Sequence, residues 1–185
     1  MGVDGVITFD AHDPRVCNAI PLMGFDNLMH SYQILKALVE HQPDLKLDKA
    51  NFMVVSPDEG AISRNVFYAS ELVVDMGMYY KRRDYSTIVD GHNPIVAHEF
   101  LGSDLQGKDV FVYDDMIASG ESMLDLAYDL KSRGARRLFA GCTYSLFTKG
   151  IEKFQKAYEE GVTSAVINTN HTYHRPELSM GHWFY

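Results

Sequence analysis

Short apolar runs alternate along the chain with longer segments whose apolar residues recur at helical spacing. The short runs are typical of buried strands, and they lie at residues Gly5–Phe9, 52–55, 76–80, 109–113, 137–143 and 164–168. The longer segments predict helices at residues 27–40, 61–74, 121–133 and 151–160, with Asn27 as the first cap. Alternating strands and helices favour an α/β fold, with a parallel sheet flanked by helices on both faces.

A polar stretch at residues 81–93 interrupts this pattern. It has no apolar period and contains Gly91, so it predicts a long mobile loop. The apolar run Ile95–Leu101 predicts an extra strand, or part of a hairpin with that loop. Ligands gather at the carboxyl ends of the strands in an open parallel sheet, so the polar residues after each strand are the candidate functional residues.

The richest of these junctions follows the predicted strand 109–113. Two acids, Asp114 and Asp115, precede Ala118, and Ser119-Gly120-Glu121-Ser122 then opens a helix. Glycine lets the backbone approach an anion, and the helix N-terminus supplies amide donors and a positive dipole. Paired carboxylates suit the vicinal hydroxyls of a sugar. An ordinary capped helix with acids near its first turn explains the same residues, so chemistry alone leaves both readings open.

Composition narrows the classes of partner. The chain has 185 residues, 46% of them hydrophobic, and a formal net charge of −8. This acidity argues against a nucleic-acid binder, and no apolar run approaches the roughly 20 residues needed to cross a membrane. Two distant cysteines, Cys17 and Cys142, indicate no disulfide framework, so a cytoplasmic location is the default expectation.

The junction resembles the Asp-Asp-x-x-x-Thr-Gly-x-Thr signature of phosphoribosyltransferases. Other segments, in the same order, are similar to motifs of the ribose-phosphate pyrophosphokinase family, whose product is phosphoribosyl pyrophosphate. These segments are Phe9-Asp10-Ala11-His12, Phe25-Asp26-Asn27-Leu28, Ser56-Pro57-Asp58-Glu59-Gly60 and Lys81-Arg82-Arg83. The resemblance covers nearly the whole chain. It implies a phosphoribosyltransferase type I-like sheet with a flexible loop or hairpin.

The resemblance also implies an activity, which is the Mg²⁺-dependent transfer of diphosphate from ATP to ribose 5-phosphate. Residues 1–45 would then end an N-terminal half, and residues 46–185 would form a catalytic domain truncated at its C-terminus. A truncated chain that exposes the surface of the missing half would self-associate, so we expect a homo-oligomer. The sequence has no Gly-x-x-x-x-Gly-Lys-Ser/Thr motif and no recognisable adenine-binding stretch, so we expect little turnover from the chain alone.

Residue roles follow from the same resemblance. Ribose 5-phosphate would be held by Asp114, Asp115, Ala118, Ser119, Gly120, Glu121 and Ser122. His12 and Asp58 match metal positions, and Lys81 and Arg83 match catalytic positions. Two residues depart from the family pattern. Ala118 replaces an acid that many relatives have, and the carboxylate of Glu121 would repel a phosphate unless it turned outward.

Two alternatives remain. A phosphoribosyltransferase that consumes phosphoribosyl pyrophosphate would need a hood to recognise a base, which the sequence does not reveal. A non-catalytic regulatory relative would not need Lys81 and Arg83, whose presence argues mildly against this alternative.

Overall fold

The computed structural model describes residues 2–83, 95–174 and 182–185, with only the backbone described at residues 81–83 and 95–98. Its strands are β1 Gly5–Phe9, β2 Gly24–Leu28, β3 Phe52–Ser56, β4 Asp75–Arg83, β5 Ile95–Leu101, β6 Asp109–Ile117, β7 Arg137–Ser145 and β8 Ala165–Asn168. Its α-helices are α1 Ser31–His41, α2 Ile62–Leu72, α3 Glu121–Ser132 and α4 Glu152–Glu159, and a 3-10 helix spans Pro14–Ala19.

The main sheet has six strands in the order β5-β4-β3-β6-β7-β8. All neighbours pair in parallel except β4 and β5, which are antiparallel. Strands β1 and β2 form a separate parallel pair. The carboxyl ends of the two central strands, β3 and β6, therefore lie side by side at one end of the main sheet, where polar loops follow both strands.

Helices cover both faces of the main sheet, as the pattern predicts. Every residue of β3 is buried, because alternate side chains enter two separate apolar clusters. On one face α1 and α2 contribute Ile34, Leu38 and Tyr68, and on the other α3 and α4 contribute Leu124 and Phe154. No helix among the described residues combines the length and apolarity needed to cross a membrane.

The first helix begins later than its sequence pattern predicts. Asn27 lies on β2, opposite Thr8 of β1, and α1 starts at Ser31 after His30, which makes no side-chain cap. Strand pairing thus overrides the helical spacing of the apolar residues around position 28. Helix α1 packs against the main sheet through Ile34 and Leu38. The proposed division at residue 45 stays a prediction.

The predicted loop at residues 81–93 and the junction after the predicted strand 109–113 are both strands over part of their length. Lys81, Arg82 and Arg83 belong to β4, because they pair with β5, which is the predicted extra strand. Residues 84–93 of the predicted mobile loop lie outside the described residues. Strand β6 runs on to Ile117, which pairs with Ser145 of β7, so Asp114 and Asp115 stand on a strand.

The C-terminal aromatic residues lie along β8. The amide of Val166 donates to the carbonyl of Trp183 at 2.6 Å, and the amide of Tyr185 donates back to Val166 at 3.0 Å. Trp183 and Phe184 are both buried in the core. This segment covers an edge that would otherwise leave backbone groups of β8 without partners.

Candidate functional site

A cleft of about 170 Å³ opens at the carboxyl ends of β3 and β6. It brings together residues from three of the predicted motifs: the Ser-Pro-Asp segment, the acid pair and the loop before α3. Its lining residues are Pro57, Asp58, Asp114, Met116, Ile117, Ala118, Ser119, Gly120, Ser122, Met123 and Leu126. Residues Ala118 to Ser122 are called the Ser-Gly loop from here on.

Gly120 gives the Ser-Gly loop its shape. It caps α3 with φ of +80°, in the left-handed region that favours glycine. A Cβ atom at this position would also lie 2.2 Å from Cε2 of Phe154, so both the backbone conformation and the packing disfavour a side chain here. The glycine is therefore required by the fold itself, whether or not an anion approaches it.

The start of α3 offers donors to the cleft. The first amide groups of a helix have no carbonyl partner within it. The hydroxyl of Ser119 accepts a long hydrogen bond of 3.4 Å from the amide of Glu121, and Ser122 lines the cleft one residue further on. Amides, hydroxyls and the positive end of the helix dipole together suit a small anion such as phosphate.

Glu121 does not oppose an anion, because its carboxylate is engaged elsewhere. Lys149 and Lys153 donate to its two oxygens at 2.7 and 2.9 Å. These two hydrogen bonds lower the pKa of Glu121 to about 2. The sequence alone did not reveal this pairing, since the lysines lie 28 and 32 residues further along the chain.

The two acids of β6 have different surroundings. Burial and the charge of Asp115 raise the pKa of Asp114 to about 7, and the charge of Asp58 adds to the effect. Asp115 instead accepts a hydrogen bond of 2.7 Å from Nδ1 of His12 and is 4% exposed. The site thus holds one carboxylate that is hydrogen-bonded to a histidine and one that is easily protonated.

His12 reaches the acids from the loop after β1, 103 residues away in sequence. Its hydrogen bond to Asp115 raises the pKa of His12 above its ordinary value. Sequence reasoning missed Arg64 of α2, which bonds to Asp10 and lies 3.7 Å from Asp115. The only signal for this residue was its place in the helix after the Ser-Pro-Asp segment.

Asp58 shapes the loop between β3 and α2. Its Oδ1 accepts hydrogen bonds from the amides of Gly60 at 2.9 Å and Ala61 at 3.2 Å. Within the part of the chain that the structure describes, no three His, Cys, Asp or Glu side chains form a metal-binding group. Mg²⁺ usually takes one or two carboxylates and completes its shell with water and substrate phosphates, so Asp58 beside Asp114 fits such an ion.

The backbones of the two predicted catalytic residues lie at the same end of the sheet as the cleft. Lys81 pairs through its backbone with His98, and Arg83 with Ile95. Both follow the carboxyl end of the segment of β4 that pairs with β3. The positions of their side chains are outside the described part of the structure, so their catalytic roles stay a prediction.

A second cavity of about 280 Å³ lies between the loops after β1 and β2 and the start of α2. His12, Arg64 and Phe67 are among its lining residues. The two spaces share no lining residue. They are neighbours, because Asp58 lines the cleft and Gly60, two residues later, lines the second cavity.

The sequence profile of the phosphoribosyl transferase domain matches residues 26–173. The chain belongs to this family. The match spans the Ser-Pro-Asp segment, the acid pair and the Ser-Gly loop, each of which contributes at least one residue to the lining of the cleft.

Relatives of this domain carry a more specific name. The chain is 30% identical to a ribose-phosphate pyrophosphokinase of Ralstonia nicotianae over 149 residues, which is 80% of this chain and 43% of the relative. It is 32% identical to a ribose-phosphate pyrophosphokinase of Pasteurella multocida, covering 83% of this chain and 45% of the relative. The chain spans about half the length of the relatives it matches.

The fold is shared with a solved structure. Phosphoribosylpyrophosphate synthetase from Mycobacterium smegmatis superposes with a TM-score of 0.76 at 20% sequence identity, over 100% of this chain and 54% of that one. At this identity the likeness concerns the fold, which is the mostly parallel phosphoribosyl transferase sheet flanked by helices.

Proposed function

We propose that this chain carries the ribose 5-phosphate site of a ribose-phosphate pyrophosphokinase. The observation that supports this most directly is the cleft itself, in which residues of the Ser-Gly loop and Asp114 line one space, with Asp115 next to Asp114 on β6. The amides and hydroxyls of Ser119 to Ser122 bind the 5-phosphate, and Asp114 and Asp115 accept hydrogen bonds from the 2- and 3-hydroxyls. Ala118 closes this end of the cleft without adding a charge.

In the proposed reaction, the 1-hydroxyl oxygen of ribose 5-phosphate forms a bond to the β-phosphorus of ATP. The bond from that phosphorus to the α,β-bridging oxygen breaks, AMP leaves, and the hydroxyl proton is released. Phosphoryl-type transfers depend mainly on alignment and on charge stabilisation. Binding the sugar at its phosphate and at two hydroxyls would fix the direction in which the 1-hydroxyl points.

Asp58 is the residue that we propose for Mg²⁺, and His12 the second family position. A Mg²⁺ ion held there would neutralise charge on the nucleotide phosphates. Asp58 suits a hard cation because its oxygens are hard ligands, whereas His12 already gives Nδ1 to Asp115 and retains only Nε2. Asp58 is therefore the stronger of the two candidates.

Lys81 and Arg83 would stabilise the charge that develops on the transferred group. A residue that acts mainly on the transition state should lower kcat when it is removed, with little change in the affinity for ribose 5-phosphate. The relatives reported above share the pyrophosphokinase name, which favours this reaction over transfer to a base.

Ribose 5-phosphate affinity tests the proposal. Isothermal calorimetry compares the wild type with Ser119→Ala combined with Ser122→Ala, and with Ser132→Ala at the far end of the same helix as the control. We expect a loss of about tenfold or more from the double variant, because two hydroxyl donors of about 1 kcal/mol each are removed. Equal affinity in all three proteins would contradict the proposed phosphate site.

Because we expect little turnover from the chain alone, turnover is measured separately after the N-terminal half of a full-length relative is added, as formation of AMP and phosphoribosyl pyrophosphate from ATP, Mg²⁺ and ribose 5-phosphate. Product formation that requires ribose 5-phosphate and is lost in Lys81→Ala supports the activity. Release of AMP that does not depend on the sugar phosphate would argue for a different reaction.

A further inference from the structure

A buried ion pair joins the β1–β2 unit to the main domain. Nε of Arg64 donates to Oδ1 of Asp10 at 2.6 Å, and their side chains are 8% and 1% exposed. Asp10 also accepts hydrogen bonds from the hydroxyls of Thr143 at 2.7 Å and Tyr113 at 3.3 Å. A buried pair adds little net stability over an apolar replacement, because both charges lose their hydration. The net stability of the fold therefore does not by itself explain the Asp10–Arg64 pair.

The same guanidinium reaches the loop that carries His12. Nη2 of Arg64 donates to the carbonyl oxygens of Ala11 at 2.8 Å and His12 at 3.4 Å. It also lies 3.7 Å from Oδ2 of Asp115. One planar side chain thus connects the turn after β1 to the acid pair on β6, which the single ammonium group of a lysine cannot do.

His12 depends on this support because packing does not hold its ring. Its side chain is 84% exposed, yet Nδ1 lies 2.7 Å from Oδ2 of Asp115. An exposed side chain keeps one direction only when its backbone is fixed and its polar atom has a partner. The backbone here is fixed by the carbonyl contacts of Arg64 and by Asp10, whose φ of 42° makes a sharp turn.

We propose that Arg64 is a positioning residue for the sugar site. It carries His12 onto Asp115, and the imidazole and the guanidinium together hold Oδ2 of that carboxylate, which leaves Oδ1 for the ribose hydroxyls. This inference rests on the proposed ribose 5-phosphate site. It gives the Asp10–Arg64 pair a function that neither family motif nor packing assigns to it.

Two variants separate positioning from folding. Arg64→Lys keeps the charge and loses the fork, whereas Arg64→Met combined with Asp10→Asn removes the pair without leaving a lone buried charge. Both should lower the affinity for ribose 5-phosphate by about tenfold and leave the affinity for inorganic phosphate within about twofold, since phosphate alone needs only the Ser-Gly loop. Arg15→Met is the matched control, because Arg15 forms an exposed pair with Asp13 on the same loop.

A double-mutant cycle with His12→Ala tests whether Arg64 acts through His12. If it does, Arg64→Lys causes no further loss of ribose 5-phosphate affinity once His12 is absent. Additive losses, or an equal loss of inorganic phosphate affinity, would overturn the inference and leave Arg64 as a structural residue.

A measurement without sugar keeps this inference distinct from the proposed function. Long-range proton–nitrogen NMR spectra report the hydrogen bond at Nδ1 of His12, and Arg64→Lys should shift that resonance while Arg15→Met does not. An unchanged resonance in Arg64→Lys overturns the positioning role. A shifted resonance in a protein that binds no ribose 5-phosphate supports the positioning role and refutes the proposed substrate.

Discussion

The two halves of the candidate site are built in different ways. The Ser-Gly loop is contiguous, and its shape comes from Gly120 and the start of α3. The acid region is assembled from distant segments, since Arg64 meets Asp10 across 54 residues and His12 meets Asp115 across 103. The contiguous half can be recognised from a motif, whereas the assembled half exists only when the β1–β2 unit is docked on the main sheet.

This difference separates two kinds of dependence. The Ser-Gly loop should tolerate changes in distant residues, because backbone geometry supplies most of its donors. The acid region should fail whenever a member of the buried network is lost, even when that member touches no ligand. Substitutions in each half can therefore show whether the contrast is real.

Arg64→Met should have the largest effect on stability. The substitution leaves Asp10 buried without its cation, which typically costs about 3–5 kcal/mol. Urea unfolding measures the loss, and Arg15→Met should change the free energy of unfolding by less than about 1 kcal/mol because its ion pair is exposed. A loss as small as that of Arg15→Met would mean that the assembled half does not depend on the buried pair.

Gly120→Ala should cost about 2 kcal/mol, because it adds backbone strain and a contact with Phe154. Combining it with Phe154→Leu separates the two causes, since the smaller side chain relieves the contact and leaves the strain. The same cost in both backgrounds would show that packing against Phe154 does not restrict residue 120. A substitution at Gly120 is for this reason an ambiguous probe of phosphate binding.

The order of strands and helices could be predicted from sequence because burial on two faces leaves a strong apolar pattern. The Ser-Gly loop could also be predicted, since its chemistry is contained in consecutive residues. Strand pairing changed the boundaries, placing Asn27 on β2 and Asp114 on β6. Contacts such as Glu121 with Lys149 and Arg64 with Asp10 depend on tertiary proximity, which no local pattern encodes.

Asp114→Asn should stabilise the ligand-free protein by about 2 kcal/mol at pH 8 and weaken ribose 5-phosphate binding. The pKa of Asp114 is raised from 3.8 to about 7 by burial and by Asp115, so the folded state favours the protonated acid. Stability is therefore fully present below pH 3.8 and is lost as the pH rises through about 7. Thermal unfolding at pH 5 and pH 8 measures this difference.

Two observations would contradict that prediction. The first is a free energy of unfolding that falls no more in the wild type than in Asp114→Asn between pH 5 and pH 8. It would mean that burial and Asp115 do not raise the pKa of Asp114. Unchanged sugar affinity in Asp114→Asn would remove Asp114 from the hydroxyl site.

Glu121→Ala should have the smallest effect. Its carboxylate is bonded to Lys149 and Lys153 at the surface, so the ribose 5-phosphate affinity should change by no more than about threefold. A slight gain is the expected direction, because two lysines beside the Ser-Gly loop lose their counter-ion. Glu121→Gln is the conservative control in the same calorimetric titration. A loss of affinity above about tenfold would show that Glu121 touches the substrate.

The central claim is that the sugar phosphate binds at the Ser-Gly loop and reaches the acid pair. Titration of the isotope-labelled protein with ribose 5-phosphate, followed by proton–nitrogen NMR, locates the binding site directly. We expect the largest shifts at the amides of Gly120, Glu121 and Ser122, with a smaller shift of the His12 ring. Inorganic phosphate should shift the same amides and leave His12 unchanged. Shifts centred instead on Phe67 and the second cavity, with the Ser-Gly loop unaffected, would contradict the account.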